Sequence, residues 1–409
     1  MLNLFDVLSV EEAKKAIDDY FKFYPKSEKV NILDSMGRII YEDIVSEMNV
    51  PHFRRSTVDG YAVNSKDIRG ASESIPAIME YKGEVLMGRE PTSSIEFPGE
   101  CIYVPTGGMI PDGADSVVMV EYSEKLDENT ILINKSIPHG ENLVEIGEDI
   151  EVGEVIIKRG RKLRPYEIGV LSSLGIMDIQ VSKRPKVAII STGDEIVNPK
   201  EEPSLGEVRD INSYLIESSI VEDGGIPINY GVVKDDIEDL KDTVDDAICK
   251  ADIVLISGGS SVGKKDMTID VISSLGKPGV FVHGISIKPG KPTIIGKVKD
   301  KIVFGLPGHP LSAAIVYKVM VKYCIDKLLG FEEKDYPIVC KFSTNYHSAK
   351  GREEYLPVTL SQDLDNIVAT PIFSKSGLIS GFSKADGIMK IDKNLEGIVE
   401  GENVLVYKF

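Results

Sequence analysis

Gly258, Gly263 and Lys264 stand at the spacing of a phosphate-binding loop, directly after the apolar run 251–257. Glycines let a backbone approach an anion, and the freed N–H groups then point at it. Position 265 is Lys, where that loop needs a hydroxyl for Mg²⁺, and Asp266 follows. The segment therefore suggests phosphate and metal chemistry, but not an ordinary P-loop NTPase. Further acids follow other apolar runs: Asp194 and Glu195 in S-T-G-D-E, then Asp235 and Asp236. Carboxylates gathered at one edge suit a hard cation, Mg²⁺ by default. The simpler reading makes Asp194, Asp236 and Asp266 helix caps. Lys288 and Lys291 lie in K-P-G-K-P, where two ammonium groups on a stiff loop suit an anion. A solvated turn is the alternative. The stretch G-L-P-G-H-P, ending at Pro310, should start a helix, with His309 only a loop residue. Asp59 in S-T-V-D-G-Y-A and Thr106 in P-T-G-G have a plain competing reading as turn residues.

The elements that must position these groups follow from periodicity. Ser9 and Glu12 form a capping box, predicting a helix to about residue 21. A second helical pattern covers 31–44. Residues 54–145 read as a β-rich unit, with strands at 60–63, 100–104, 115–120 and 130–133. Residues 146–182 read as strand, turn and helix. From 184 onward strands and helices alternate: strands at 187–190, 228–233, 253–256, 280–287 and 302–304, helices at 212–221, 236–250, 267–275 and, as one long apolar run, 310–329. That alternation predicts a three-layer, doubly wound parallel sheet with its ligand site at the strand C-terminal ends. Beyond 334, alternating segments form a C-terminal β domain. The expected units are 1–53 with 146–182, 54–145 inserted, 183–333, and 334–409.

Composition sets limits. At 409 residues, two to four compact units are expected. A net charge of −18 argues against a nucleic-acid binder, which needs a positive footprint. No apolar run approaches a membrane span, and the N-terminus carries an acid where a signal peptide carries bases, so a cytoplasmic location without membrane contact is expected. Cys101, Cys249, Cys324 and Cys340 have no metal-type spacing and are expected as buried free thiols.

Taken together, S-x-x-D-G-Y-A, P-T-G-x-x-x-P, G-E-D, S-T-G-D-E, D-x-N-S, S-G-G-x-S-x-G-x-x-D, K-P-G-K-P and G-x-P-G-x-P occur here in the order of the molybdopterin molybdenumtransferases, the family of bacterial MoeA and the gephyrin E domain. The resemblance covers essentially the whole chain. It implies an elongated homodimer of four-domain subunits: an N-terminal α+β linker domain, an inserted β-rich domain, an α/β domain like molybdopterin adenylyltransferase, and a C-terminal β-barrel-like domain. It implies insertion of molybdenum, or tungsten, into adenylylated molybdopterin with release of AMP and help from Mg²⁺. Motif by motif, Asp59, Thr106 and Asp149 would line the site from the β-rich side and face the other subunit's α/β domain. Glu195, Asp235 and Asp266 would bind metal or position nucleotide and pterin. Ser261, Lys288, Lys291, Pro307, Pro310 and Ser312 would hold substrate and oxyanion, joined by Arg352 and Ser380 from the C-terminal domain. The adenylyltransferase of the preceding step is an implied partner. Two departures stand out: Val144 occupies a stretch that often carries arginine, and His309 replaces the usual Asn or Asp. Molybdate and tungstate have nearly the same size and charge, so the residues do not choose between them. The competing functions are an adenylyltransferase turning over ATP, and a scaffold of the gephyrin type.

Overall fold

The computed structural model describes residues 7–258, 265–332, 336–373 and 377–409, the side chains of Lys265 and Asp266 excepted. The helix Val10–Tyr20 begins at the predicted capping box, with Ser9 and Glu12 bonded reciprocally. Its apolar face, Val10, Ala13 and Ile17, is buried in the core of the α/β unit. The next segment differs from its helical pattern. Ser27–Asn31 is a strand paired antiparallel with Asp178–Ser182. Asn31 then caps only a short 3-10 turn, Ile32–Ser35. Ile39 and Ile40 are extended instead, bridging Lys162 and Val181. Both are buried, so their adjacent apolar side chains serve two neighbours rather than one helix face. Ile32, Ile40, Ile157, Leu163 and Leu171 form the core of this linker unit, so the segments before and after the insertion fold as one body.

The inserted unit is a six-stranded sheet with two small cores of its own. All four predicted strands are present, the 115–120 segment as Ser116–Met119. At its neck Arg55–Ser56 pairs antiparallel with Leu143–Val144.

In the α/β unit, the order is Ile226–Val233, Lys186–Thr192, Ile253–Gly258, Lys301–Leu306, Ile294–Val298, Gly279–His283. The first four strands are parallel; Ile294–Val298 runs antiparallel to them, and Gly279–His283, antiparallel to it in turn, runs in their direction again. The expectation of a fully parallel sheet is corrected at that edge. Ile294–Val298 and Lys301–Leu306 make a tight hairpin, which places a return strand where a crossover was expected. The predicted strand 280–287 also divides: Gly279–His283 stays in this sheet, and Ile287–Lys288 leaves it for the C-terminal domain. The long helix is interrupted. Pro310–Val316 and Lys322–Leu329 flank a π turn at Tyr317–Val321. The sequence holds no breaker there; the wide turn coincides with the buried Tyr317 hydroxyl donating to Asp223 at 2.9 Å.

The C-terminal domain is a closed five-strand barrel. Glu353–Asp363, Asn366–Pro371, Ile338–Phe342, Asn403–Lys408 and Gly387–Ile391 follow one another, and the last pairs back with the first. Three cysteines are buried as expected, whereas Cys249 is exposed, near the end of helix Ile237–Lys250.

Candidate active site

Three groups of predicted residues are each assembled by a specific contact. In the β-rich unit, the Asp59 carboxylate accepts a hydrogen bond from the Thr106 backbone N–H at 2.8 Å, joining two motifs 47 positions apart. Asp59 is thus no hairpin corner. Gly60–Val63 pairs instead with Glu100–Val104 and Ser116–Met119. Gly60 is required there, since a Cβ would lie 2.1 Å from the Val118 carbonyl oxygen. Asp149 sits in the neck: its N–H donates to the Val50 carbonyl, and its carboxylate is exposed. Val144 lies directly opposite Arg55 in the neck pairing.

At the C-terminal edge of the parallel strands, the loops carrying Asp194 and Asp235 bind each other. The Asp194 N–H donates to Asp235 Oδ2 at 3.2 Å, and the Asp235 N–H donates to Asp194 Oδ1 at 3.3 Å. Asp194 therefore does not cap a helix, which corrects the simpler reading for that residue. Asp236 does, accepting from the N–H groups of Glu238 and Asp239. Asp266 falls within helix Lys265–Leu275, and its side chain, like all of Ser261, lies outside the described residues. Among the described residues no three His, Cys, Asp or Glu side chains are grouped to hold a metal ion. Gly258, at φ +138°, passes so close to the next strand that a Cβ would lie 2.0 Å from the Thr192 carbonyl oxygen.

The third group spans two domains. Ile287–Lys288 pairs in parallel with Glu353 and Glu354, so K-P-G-K-P starts beside the barrel strand that follows Arg352, and its loop then turns back, the Lys291 carbonyl accepting from the N–H groups of Ile285 and Thr293. The Ser286 hydroxyl donates to the Gly351 carbonyl, and the Glu353 N–H to the Ser286 carbonyl. Lys291 and Arg352 are exposed. Lys288 forms an ion pair with the buried Glu354 at 2.7 Å. Burial alone would raise the Glu354 carboxyl; hydrogen bonds from Lys288, Tyr346 and Ser348 outweigh it and hold the group below its usual range. Pro307, Pro310 and Ser312 are buried around the start of Pro310–Val316, with His309 at the N-cap. The 3-10 turn Ile379–Lys384, which carries the exposed Ser380, packs against that helix.

Two residues outside the sequence-based set belong here. Asn212 Nδ2 donates to Ser257 Oγ at 2.8 Å and to the Gly308 carbonyl at 2.9 Å, tying the end of one strand to the G-x-P-G turn. The D-x-N-S motif, which holds Asn212 and Ser213, was the available signal. Glu354 had none, because acid pairs are common at surfaces and only the fold buries this one.

The β-rich contacts and the α/β contacts share no hydrogen bond or ion pair among the described residues.

Family profiles match in three places: "MoeA N-terminal region (domain I and II)" over residues 8–175, "Probable molybdopterin binding domain" over 188–327, and "MoeA C-terminal region (domain IV)" over 340–409. Fold and profiles together define a multidomain protein of the MoeA type, with an α/β domain of the probable molybdopterin-binding class between its N- and C-terminal regions. A putative molybdopterin biosynthesis protein of Methanocaldococcus jannaschii is 34% identical, with 99% of this chain and 98% of that protein covered. The molybdopterin molybdenumtransferase of Haemophilus influenzae is 30% identical, over 98% and 99%. A crystal structure of a molybdopterin biosynthesis MoeA protein from Pyrococcus horikoshii superposes with a TM-score of 0.85 at 40% identity, covering 98% of this chain and 99% of that one. The chain belongs to the molybdopterin molybdenumtransferase family, transferases of molybdenum cofactor biosynthesis.

Proposed function

We propose that this protein inserts molybdenum, or tungsten, into adenylylated molybdopterin and releases AMP. The observation that carries this reading is the pairing of Ile287–Lys288 with Glu353 and Glu354, which brings Lys288 to the strand that follows Arg352, with Lys291 in the loop that continues from it, in an otherwise acidic chain. Molybdate is a dianion, and cleaving the pyrophosphate link leaves a second anionic phosphate on AMP. Cations fixed in advance at such a site stabilise charge as it develops. The metal is the substrate's cargo, and the pterin's own sulfurs take it up, so no protein nucleophile is required. Ser312 and Ser380 would supply hydroxyl donors, while Pro307 and Pro310 shape the loop above them.

Glu195 and Asp235, with Asp266 as the third oxygen donor, would hold Mg²⁺ beside the phosphates, where it would offset their charge. Asp59, Thr106 and Asp149 would complete the site across a homodimer, in keeping with the family resemblance and with Asp59 bonding to Thr106 inside its own β-rich unit. A two-fold axis makes such a contact twice. Free thiols support a cytoplasmic, reducing setting. No described helix is long and apolar enough to cross a membrane. The test is AMP release from the purified adenylylated pterin, with and without molybdate and without ATP. Molybdate-stimulated AMP release is expected. Activity that needs ATP would instead make it an adenylyltransferase.

A further inference from the structure

We infer that Glu354 is a positioning residue that fixes the Lys288 ammonium in one orientation and cancels its charge until a tetrahedral oxyanion arrives. This rests on the oxyanion site proposed above. Glu353 and Glu354 are both buried in one strand, yet they face opposite ways, as neighbours in a strand do. Glu353 turns to Lys390 at 3.0 Å and the Tyr355 hydroxyl at 2.9 Å. Glu354 turns to the loop. Its Oε1 takes Lys288 Nζ at 2.7 Å and the Tyr346 hydroxyl at 2.5 Å, and its Oε2 takes the Ser348 hydroxyl at 2.7 Å. The carboxylate is only 5% exposed, whereas Lys288 is 47% exposed. One partner is therefore anchored from three sides and the other still faces solvent. An ammonium has three N–H groups. Glu354 takes one, leaving two for an incoming anion. The pair is neutral at rest, so long-range attraction falls to Lys291 and Arg352, while Lys288 contributes geometry.

Glu354→Gln keeps the shape and removes the charge. Without cancellation, the half-saturating molybdate concentration should fall by about 3- to 10-fold, while turnover falls about 10-fold because the ammonium is no longer held. Lys288→Arg keeps the charge but not the point contact, so turnover should fall similarly with the half-saturating concentration within about 3-fold. In a Lys288→Gln background, adding Glu354→Gln should change neither parameter further. Both parameters unchanged in Glu354→Gln, or an equal loss with and without Lys288, would overturn the inference. Should Glu354→Gln not fold, full turnover by Lys288→Arg overturns it alone. Equilibrium dialysis with molybdate and no pterin separates the two readings. A wild-type chain that binds molybdate but releases no AMP sinks the transferase reading. Normal AMP release with a neutral Glu354→Gln sinks only this one.

Discussion

Asp59 shows how one carboxylate serves two ends. It accepts the Thr106 N–H, a structural bond, from an exposed position where it can also meet a substrate. Asparagine keeps an acceptor at the same place but loses the charge. We expect Asp59→Asn to fold with a stability loss of no more than about 1 kcal/mol and to lose most AMP-releasing activity. Wild-type turnover in that variant would remove Asp59 from the site. The cysteines separate as cleanly. Burial pushes the Cys101 thiol up to about 12 and raises Cys324 and Cys340 as well, while Cys249 is exposed. A thiol-specific reagent at pH 8 should therefore modify one cysteine quickly in the native chain and all four after denaturation, and Cys249→Ser should abolish the fast phase.

Among elements, the strand Gly60–Val63 and the helix Pro165–Ser173 make contrasting claims. Gly60→Ala would drive a methyl into the Val118 carbonyl, so the β-rich sheet must open or bend. A loss of about 1–3 kcal/mol or more is expected in denaturant unfolding, far above a surface substitution. In the helix, Glu167 is bound by Arg164 and Arg161. Chiefly through Arg164, and against the opposing effect of its burial, its carboxyl is pulled down to about 2. A depressed carboxyl stabilises the fold above its unfolded value near 4.5 and loses that contribution as pH falls through about 2. Because both arginines are about half exposed, solvent screening trims it to about 1–2 kcal/mol. Melting temperatures of the wild type and Glu167→Gln should differ at pH 6 and converge toward pH 2. Elements were legible in the sequence where periodicity was strong and local. The capped first helix and the strands and helices of 187–275 follow their patterns closely. The pattern over 31–44 misled because Ile39 and Ile40 are buried by strands more than 100 residues away. Likewise nothing local says that Ile287–Lys288 belongs to the barrel, or that Glu354 awaits Lys288; both depend on domain docking.

Taken whole, the molecule keeps its two sets of site residues on separate bodies. If each site is completed by a partner subunit, Asp59→Asn and Asp266→Asn homodimers should both be inactive. Co-refolded in equal amounts, random pairing makes half the dimers mixed, each with one intact site, so about a quarter of wild-type AMP release should return. No return despite proven heterodimers would put both acids in a site within one chain. The family motifs were readable from end to end, and with them the expectation that Asp59, Thr106 and Asp149 sit on a unit apart from the α/β domain; the contacts inside each set were not, since a motif records residue types and not which atoms meet.

The paired neck at Arg55–Ser56 and Leu143–Val144 carries a consequence for how such a chain can be taken apart. Strands paired this way hold their Cα atoms only about 5 Å apart. The whole of the inserted sheet therefore leaves and rejoins the linker unit through a gap that two glycines could bridge. Cut there, the insert has adjoining ends and its own two cores, so it is a candidate for expression alone. The remainder would keep a continuous path from the first helix to the barrel. In genetic terms the β-rich unit is a cassette, removable or exchangeable without rerouting the polypeptide that carries the lysines.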